Sequence, residues 1–569
     1  MTFLRSQVVG AVSLVSLVAG QFVTPSTNLT VSKGFLDIPV RWKEVPSGIC
    51  ELTPGVKSYS GYVDVSEREH VYFWFFEARN GRPESAPLTV FINGGPGSSS
   101  IESLFQESGP CSMPNDQAEV ISNKYSWSSV SNMLYIDQPI QVGFSYNVAV
   151  PGYQAERADS GDGNDYNGTV TLPDNTCPDY APYGSCGTFS KPNISETSNS
   201  TRAAAPLMWK TLQGFLGAFP RFQNSRFNFA TESYGGHFGP IFMEYLVAQN
   251  DLIEADVLPG AHYINLRTLL VGNGWYDPIV HREAYYNFTV SPGNTYDFSP
   301  FNETTQKMLY DALYAPGACL DMVRDCQRTQ RDDVCSFSDN FCLQTVDNSL
   351  SNYANRDIDD IRELMPDPFP YERYVLYLNT KKVQEALGVF VNYTVTSGIS
   401  YLAFASTGDD SREAGTVEAV ENLIKRGVYV VQYAGDADYD CNWIGGEVIA
   451  ERVGAGSVPS YQNAGYTNVS TTDNIVHGQV KQAANFAFVR IYESGHLVPF
   501  YQPLAAQEMF ERAINGKNIE TGLVNVTGNY STKGTARSEY REGNSTVQLK
   551  PVSLLATYNT TSTEPNAKG

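Results

Sequence analysis

Short apolar runs recur along the middle of the chain and predict buried parallel strands. They are bounded by glycine and polar residues, which is typical of strands covered on both faces. Amphipathic patterns between several runs predict helices. The predicted strands are residues 88–92, 133–136, 227–230, 266–271, 428–433 and 488–492, and the predicted helices are 203–219, 238–249, 416–426 and 503–515. Strands alternating with helices indicate an α/β fold with a doubly wound, mostly parallel central sheet.

Other segments depart from this alternation. Residues 58–77 carry β-forming side chains on both sides of Ser66-Glu67-Arg68 and predict an antiparallel pair of strands. Residues 147–200 are rich in Asp, Gly, Asn and Ser and predict a long surface excursion. Residues 275–375 lie between predicted core strands and contain four cysteines, so we interpret them as an inserted cap lobe. Residues 520–569 are rich in Thr, Asn and Ser and predict a partly disordered tail.

The beginning of the chain predicts export. Arg5 supplies a positive charge, residues 8–18 form an apolar run too short to span a bilayer comfortably, and small residues precede Gln21. We therefore expect a signal peptide at residues 1–20 and a main domain at 21–519; a membrane anchor is the alternative. A secreted protein is expected, although a vacuolar one would use the same signal. Sequons for N-glycosylation agree with export, for example at Asn28, Asn193, Asn199, Asn302, Asn392 and Asn559.

The chain has nine cysteines, an odd count, which leaves at least one without an internal partner in an oxidising compartment. The spacing of Cys319, Cys326, Cys335 and Cys342 suggests a nested pair of disulfides, and no CxxC spacing supports the zinc alternative. Cys177 with Cys186 is expected to close one loop, and Cys50 with Cys111 to form a long-range link. Cys441 is then left over.

The formal net charge of -22 at pH 7 argues against a nucleic-acid partner, because such a surface repels phosphate backbones. We expect no cofactor, no metal and no stable membrane insertion. The sequence leaves the oligomeric state open.

Residues 227–236 predict a strand that enters a glycine-rich turn around Ser233, followed by a helix. A nucleophile elbow has this layout, in which a sharp turn lifts the serine hydroxyl above the edge of the sheet. The G-x-S-x-G pattern is only partly met, because Thr231 holds the first glycine position and Gly235 the second. For this segment alone, a Ser-Gly turn without chemistry is the alternative.

A serine hydroxyl needs a base to take its proton. Of six histidines, His496 fits best because it follows the last predicted strand. His237 begins the helix after Ser233 and is expected to pack or cap, whereas His477 is expected to be exposed.

The acid should lie between serine and histidine in chain order. Three aspartates after the strand at 428–433 qualify, and spacing does not choose among them: Asp436, Asp438 and Asp440. This order matches an α/β-hydrolase scaffold.

Several segments together resemble the serine carboxypeptidase family. They occur in the family's order over roughly residues 45–515, so the signal is specific although a single motif would not be. The matching segments are Asn93-Gly94-Gly95-Pro96-Gly97-Ser98-Ser99-Ser100, Ile136-Asp137-Gln138-Pro139, Glu232-Ser233-Tyr234-Gly235-Gly236, Gly435-Asp436-Ala437-Asp438-Tyr439-Asp440-Cys441-Asn442-Trp443 and Gly495-His496-Leu497-Val498-Pro499.

The resemblance implies a secreted serine exopeptidase of peptide and protein C-termini. Ser233 would be the nucleophile, His496 the general base, and Asp438 the acid of the triad. Backbone N–H groups of Gly95 and Tyr234 would form the oxyanion hole.

The resemblance also implies a cradle for the substrate's terminal carboxylate, with its members at Asn93, Gly94, Glu107 and Glu232. Glutamates can hold a carboxylate only when a carboxyl is protonated and donates a hydrogen bond, and two close, buried carboxyls raise a pKa. We therefore expect peptide binding to weaken as pH rises, and activity to be favoured at acidic pH.

The S1 pocket, which would hold the residue before the scissile bond (P1), has Tyr234, Asp440 and Cys441 as candidates. Cys441 matches a cysteine that the family carries beside this pocket, so a free thiol sensitive to mercurials is expected. Asp440 would favour Lys or Arg at P1 if it faces the pocket; an outward, solvated Asp440 is the alternative.

Three rival functions remain. An acyltransferase or esterase can use the same scaffold and triad, but the carboxylate cradle argues against both. An endopeptidase would have no use for that cradle. A non-catalytic secreted glycoprotein would have no use for the triad.

Overall fold

The computed structural model describes residues 21–155, 168–290, 293–412 and 415–566. The predicted signal peptide lies outside these ranges, as does part of the predicted surface excursion. Among the described residues, no helix has both the length and the apolar character needed to cross a bilayer.

Within the described ranges, the strands form one large sheet and three small ones. The predicted strands and the antiparallel pair are present, with bounds that differ by a few residues at most. In chain order the strands are β1 Thr30–Lys33, β2 Pro39–Val45, β3 Ser58–Ser66, β4 Glu69–Phe76, β5 Leu88–Ile92, β6 Cys111–Ser112, β7 Ile121–Ser122, β8 Asn132–Ile136, β9 Ala149–Gln154, β10 Thr169–Thr171, β11 Cys186–Ser190, β12 Phe227–Glu232, β13 Leu266–Gly272, β14 Tyr429–Gly435, β15 Thr467–Ser470, β16 Val476–Ala483, β17 Phe486–Ile491, β18 Thr557–Asn559 and β19 Glu564–Asn566.

The four predicted helices are also present, together with helices of the inserted region. In chain order the helices are α1 Ser100–Gln106, α2 Thr201–Ala218, α3 Gly235–Glu254, α4 Pro278–Thr289, α5 Glu303–Tyr314, α6 Cys319–Thr329, α7 Asp332–Cys342, α8 Ser349–Ala354, α9 Tyr374–Leu378, α10 Lys381–Leu387, α11 Gly398–Thr407, α12 Thr416–Lys425, α13 Trp443–Ser457, α14 Val498–Tyr501 and α15 Pro503–Ile514.

The large sheet has the order β1-β2-β3-β4-β8-β5-β12-β13-β14-β17-β16-β15. Its middle, from β8 to β17, is parallel, and antiparallel strands extend it on both sides. The central strands are apolar at successive positions because both faces are covered. On β13, Leu269 and Val271 belong to the core on one face, and Leu270 belongs to the core on the other. The fold is the predicted doubly wound α/β-hydrolase fold.

The inserted region lies between β13 and β14 and is helical. Two nested disulfides, Cys319–Cys342 and Cys326–Cys335, lie in α6 and α7, as predicted. Helix α11 packs on α7, so the lobe continues beyond the predicted limit at residue 375. Elsewhere the predicted links Cys50–Cys111 and Cys177–Cys186 are present.

The segment after α15 differs from the predicted partly disordered tail. Through Asn566 it lies on the domain and ends in a hairpin of β18 and β19. Its residues Ala556 and Tyr558 are buried in an apolar cluster with Phe369, Leu497 and Phe500. Composition alone missed this packing, because a few well-placed apolar side chains anchor a segment that is otherwise polar.

Candidate active site

The nucleophile elbow joins β12 to α3. Ser233 lies at the turn with φ +59, a left-handed conformation that is strained for a residue other than glycine. A Cβ at Gly235 would collide with Oγ1 of Thr231. Thr231 can therefore occupy the first position of the elbow motif because the second position has no side chain.

The glycine-rich loop after β5 lies directly against this turn. A Cβ at Gly94 would collide with the backbone nitrogen of Tyr234, so only glycine permits this approach. Asp137 anchors the far end of the loop, where its Oδ1 accepts hydrogen bonds from Ser99 Oγ at 2.6 Å and Ser100 N at 3.0 Å. The backbone N–H of Tyr234 also lies at the N-terminus of α3, where the helix dipole favours negative charge.

The structure separates the three candidate aspartates after β14. Asp436 is buried beside Arg490, 3.5 Å away, and accepts a hydrogen bond from Tyr296. Asp438 lies 2.9 Å from Nδ1 of His496. Asp440 accepts a hydrogen bond from Tyr285 and lines a cavity.

Asp438 is held in place by donors around its carboxylate. Asn273, which follows β13, donates from Nδ2 to Oδ2 at 2.6 Å, and the backbone nitrogens of Cys441 and Asp440 donate at 3.1 and 2.9 Å. His496 donates its own backbone N–H to the carbonyl of Asp359 at 2.8 Å. These bonds fix both the carboxylate and the imidazole.

Burial of His496 lowers its pKa, but the carboxylates of Asp438 and Asp359 outweigh burial, so the pKa lies well above its usual value. The other candidate histidines lie elsewhere. His237 is buried and stacks on Tyr234, as expected of a packed residue. His477 is not exposed as predicted: its side chain is 13% exposed because it bonds Asp473 and Gln502.

A second set of buried polar side chains includes Glu232, the residue before Ser233. Ser103 on α1 donates to Asn93 Oδ1 and also lies 2.9 Å from Glu232 Oε1, bridging the two residues. Glu107, at the end of α1, is adjacent to Glu232, yet neither of its carboxyl oxygens makes a hydrogen bond of regular geometry within the described ranges. Asn93, Glu107 and Glu232 are each at most 4% exposed.

Their environment favours protonated carboxyls. Burial, followed by the nearby Glu232 carboxylate, raises the pKa of Glu107 well above its usual value. Burial also raises the pKa of Glu232, opposed by His496. Glu102, whose Oε2 lies 3.4 Å from Asn93 Nδ2, has its pKa raised to about 8 by burial and by Glu232.

A cavity of about 390 Å³ opens beside Ser233. It contains the three candidates for the S1 pocket, Tyr234, Asp440 and Cys441, and two further carboxylates, Asp347 and Asp410. Cys441 is buried and has no disulfide partner, as predicted. The side-chain ligand atoms of Asp440, Cys441 and His496 lie within 4.8 Å of one another, which places the Asp438–His496 pair at the wall of the cavity that Ser233 lines.

Several site residues escaped the sequence analysis. Asn273 follows a predicted parallel strand, and this position was a usable signal because polar residues at carboxyl ends of such strands converge. Ser103 and Glu102 follow the glycine-rich loop within a few residues. Asp359 comes from the inserted region, where no pattern singled it out.

Comparisons with known proteins agree with this geometry. A family model described as serine carboxypeptidase matches residues 48–516. The chain is 36% identical to carboxypeptidase S1 of Penicillium janthinellum over 478 residues, covering 84% of this chain and 99% of that protein. It is 34% identical to carboxypeptidase S1 homolog B of Arthroderma otae over 542 residues, covering 90% and 81%.

A solved structure is similar in fold. It is the crystal structure of Kex1Δp, a prohormone-processing carboxypeptidase from Saccharomyces cerevisiae, with a TM-score of 0.60, 18% identity, and coverage of 84% of this chain and 97% of that one. The family model and the fungal relatives show that this chain belongs to the serine carboxypeptidase family and is a serine-type carboxypeptidase, and the site geometry agrees.

Proposed function

We propose that Ser233, His496 and Asp438 release C-terminal amino acids from peptides and proteins through an acyl-enzyme. Ser233 Oγ attacks the scissile carbonyl carbon while Nε2 of His496 takes its proton. The imidazolium then gives that proton to the nitrogen of the departing amino acid. Water, deprotonated by His496, hydrolyses the ester and restores the serine. The hydrogen bond between His496 Nδ1 and Asp438 carries the proposal, because it leaves Nε2 available and stabilises the imidazolium.

The oxyanion hole is assigned to the backbone N–H groups of Gly95 and Tyr234. The close approach of the glycine-rich loop to Tyr234 supports this assignment, since both groups then belong to adjacent turns beside Ser233. Removing a donor of this kind typically costs about 10²–10³ in rate.

The substrate's terminal carboxylate is assigned to Asn93, Gly94, Glu107 and Glu232. The buried carboxyl of Glu107, which makes no hydrogen bond of regular geometry with the described residues, supports this role, because a protonated Glu107 would donate a hydrogen bond to the substrate. Because its pKa is raised, Glu107 keeps its proton at acidic pH, and substrate binding should be favoured there.

The S1 pocket is assigned to the cavity with Tyr234, Asp440 and Cys441. The carboxyl groups of this cavity favour a basic P1 side chain, since Asp440 and Asp410 each have a pKa raised to about 7, first by burial, and would ionise beside a cation. In an Asp440→Asn variant we expect kcat/KM for a blocked Arg-X dipeptide to fall about 10-fold or more, with the Phe-X value little changed. Equal losses for both substrates would contradict this specificity.

An esterase or acyltransferase is the alternative reaction on the same triad. The deciding experiment compares blocked dipeptides with a free or an amidated C-terminus across pH 3–8, using wild type and Ser233→Ala. We expect hydrolysis of the free acid only, and loss of it in the variant. Equal turnover of the amide would remove the carboxypeptidase assignment, and a fully active variant would remove Ser233.

The proposed destination of the protein remains the extracellular space, with the vacuole as the alternative. N-glycosylation at exposed sequons such as Asn28 would accompany it. Asn392 is a poor acceptor, because the residue is 7% exposed and its amide donates to Asn379. Mass spectrometry of glycosidase-treated protein would separate the two sites.

A further inference from the structure

Tyr234 is anchored at both ends. Its main chain follows Ser233, and its phenol donates to Oδ2 of Asp409 at 2.7 Å. The ring is 3% exposed, stacks on His237 and meets Phe238 and Phe404 edge-on. The residue assigned to the oxyanion hole is thus tied to a buried carboxylate outside the triad.

Asp409 is itself held firmly. It is 2% exposed, and the same Oδ2 accepts from the backbone nitrogen and the hydroxyl of Thr201 at 2.9 and 2.7 Å. Thr201 is the first residue of α2, so the carboxylate also satisfies a backbone donor at a helix N-terminus. Asp409 therefore has a fixed position relative to the central domain.

The elbow needs such an anchor. Ser233 has φ +59, and a strained residue keeps its conformation only where its surroundings over-determine it. The carbonyl of Ser233 accepts from Gly236 N at 2.8 Å and Trp275 N at 2.9 Å, which fixes one side of the turn. Tyr234, the next residue, is fixed by the hydrogen bond from its phenol to the carboxylate of Asp409. Hydrogen bonds to carboxylates are among the stronger kinds.

We propose that Asp409 is a positioning residue that holds the backbone N–H of Tyr234 at the oxyanion through the phenol of Tyr234. The inference rests on the proposed function, because it concerns the same oxyanion hole. Loss of the anchor leaves the elbow free to relax and misaligns one donor, and a misplacement of this kind can cost up to about 10²-fold in rate.

Other titratable groups surround the phenol. Asp410 follows Asp409 on the same loop, Asp339 approaches from α7, and His237 packs from α3. Arg282 on α4 interacts with Asp410 and Asp339, and it bonds Ser411 at 3.0 Å. Burial, then Asp409 and Asp410, keep the pKa of Tyr234 well above its usual value, so the phenol stays a donor at every pH of interest.

The experiment measures kcat, KM and melting temperature for Tyr234→Phe, Asp409→Ala, Asp409→Asn and the double variant Tyr234→Phe/Asp409→Ala. We expect Tyr234→Phe and Asp409→Ala each to lower kcat about 10-fold with KM little changed. Asp409→Asn should recover most of kcat, because its amide oxygen can accept from the phenol. The double variant should lose no more kcat than Tyr234→Phe alone.

Thr201→Val is the matched control. It removes a hydrogen bond to the same Oδ2 without touching Tyr234, so it should lower the melting temperature and leave kcat unchanged. An unchanged kcat in Tyr234→Phe would overturn the proposal even if Asp409→Ala fails to fold. Additive losses in the double variant would also overturn it. A wild type without carboxypeptidase activity would instead refute the proposed function.

Discussion

Glu107→Gln tests whether a proton on the buried glutamates governs substrate binding. The raised pKa of Glu107 means that the neutral, donating carboxyl persists at acidic pH and is lost as pH rises through that pKa. Each pH unit above the pKa then raises KM tenfold, about 1.4 kcal/mol. The rise levels off once the hydrogen bond to the substrate carboxylate is lost, at about 1.5–3 kcal/mol or 10- to 100-fold.

Glutamine at this position donates at every pH. We therefore expect KM for a blocked dipeptide to match wild type at acidic pH, to stay nearly flat in the variant, and to rise only in wild type. Initial rates at a series of pH values give both curves. A flat wild-type curve, or an equal slope in Glu107→Gln, would refute the reasoning.

The pH dependence of kcat has a different origin. His496 must be neutral to act as a base, and its raised pKa means that protonation removes activity as pH falls. Acidic pH therefore favours KM but disfavours kcat, and kcat/KM should be bell-shaped because the two groups act in opposite directions.

Three further predictions concern Asn273 beside Asp438, the thiol of Cys441 and the C-terminal segment. Asn273→Leu removes the 2.6 Å donor to Asp438 and should lower kcat about 10- to 100-fold; an unchanged kcat at an unchanged melting temperature would deny Asn273 this role. Cys441→Ser should abolish inhibition by mercurials, since Cys441 has no disulfide partner and lines the cavity beside Ser233; equal sensitivity in the variant would place the target elsewhere. Tyr558→Ala empties a buried aromatic position beside Phe500 and should destabilise the fold by about 3–5 kcal/mol in denaturant titration, whereas no change would restore the expectation of a partly disordered tail.

The sequence predicted the central fold well because its signals are local. Buried parallel strands need apolar residues at successive positions, and the run at β5 was predicted with the bounds that the structure has. The spacing of the four cysteines in the inserted lobe likewise predicted their nested pairing. In the structure each disulfide joins α6 to the neighbouring α7. Composition failed for the C-terminal segment, since a few apolar residues such as Ala556 and Tyr558 in an otherwise polar segment do not reveal which surface they cover.

By itself, the sequence determined the α/β scaffold, the serine at its elbow and the histidine after its last strand, because strand, turn and helix patterns lie in neighbouring residues. Spacing left open which of Asp436, Asp438 and Asp440 reaches His496, and the family resemblance implied Asp438; only the tertiary structure shows that contact and that Asn273 holds the carboxylate. Those contacts join residues far apart in the chain, and their energies depend on burial and on distances of a few ångströms. No local pattern encodes either quantity.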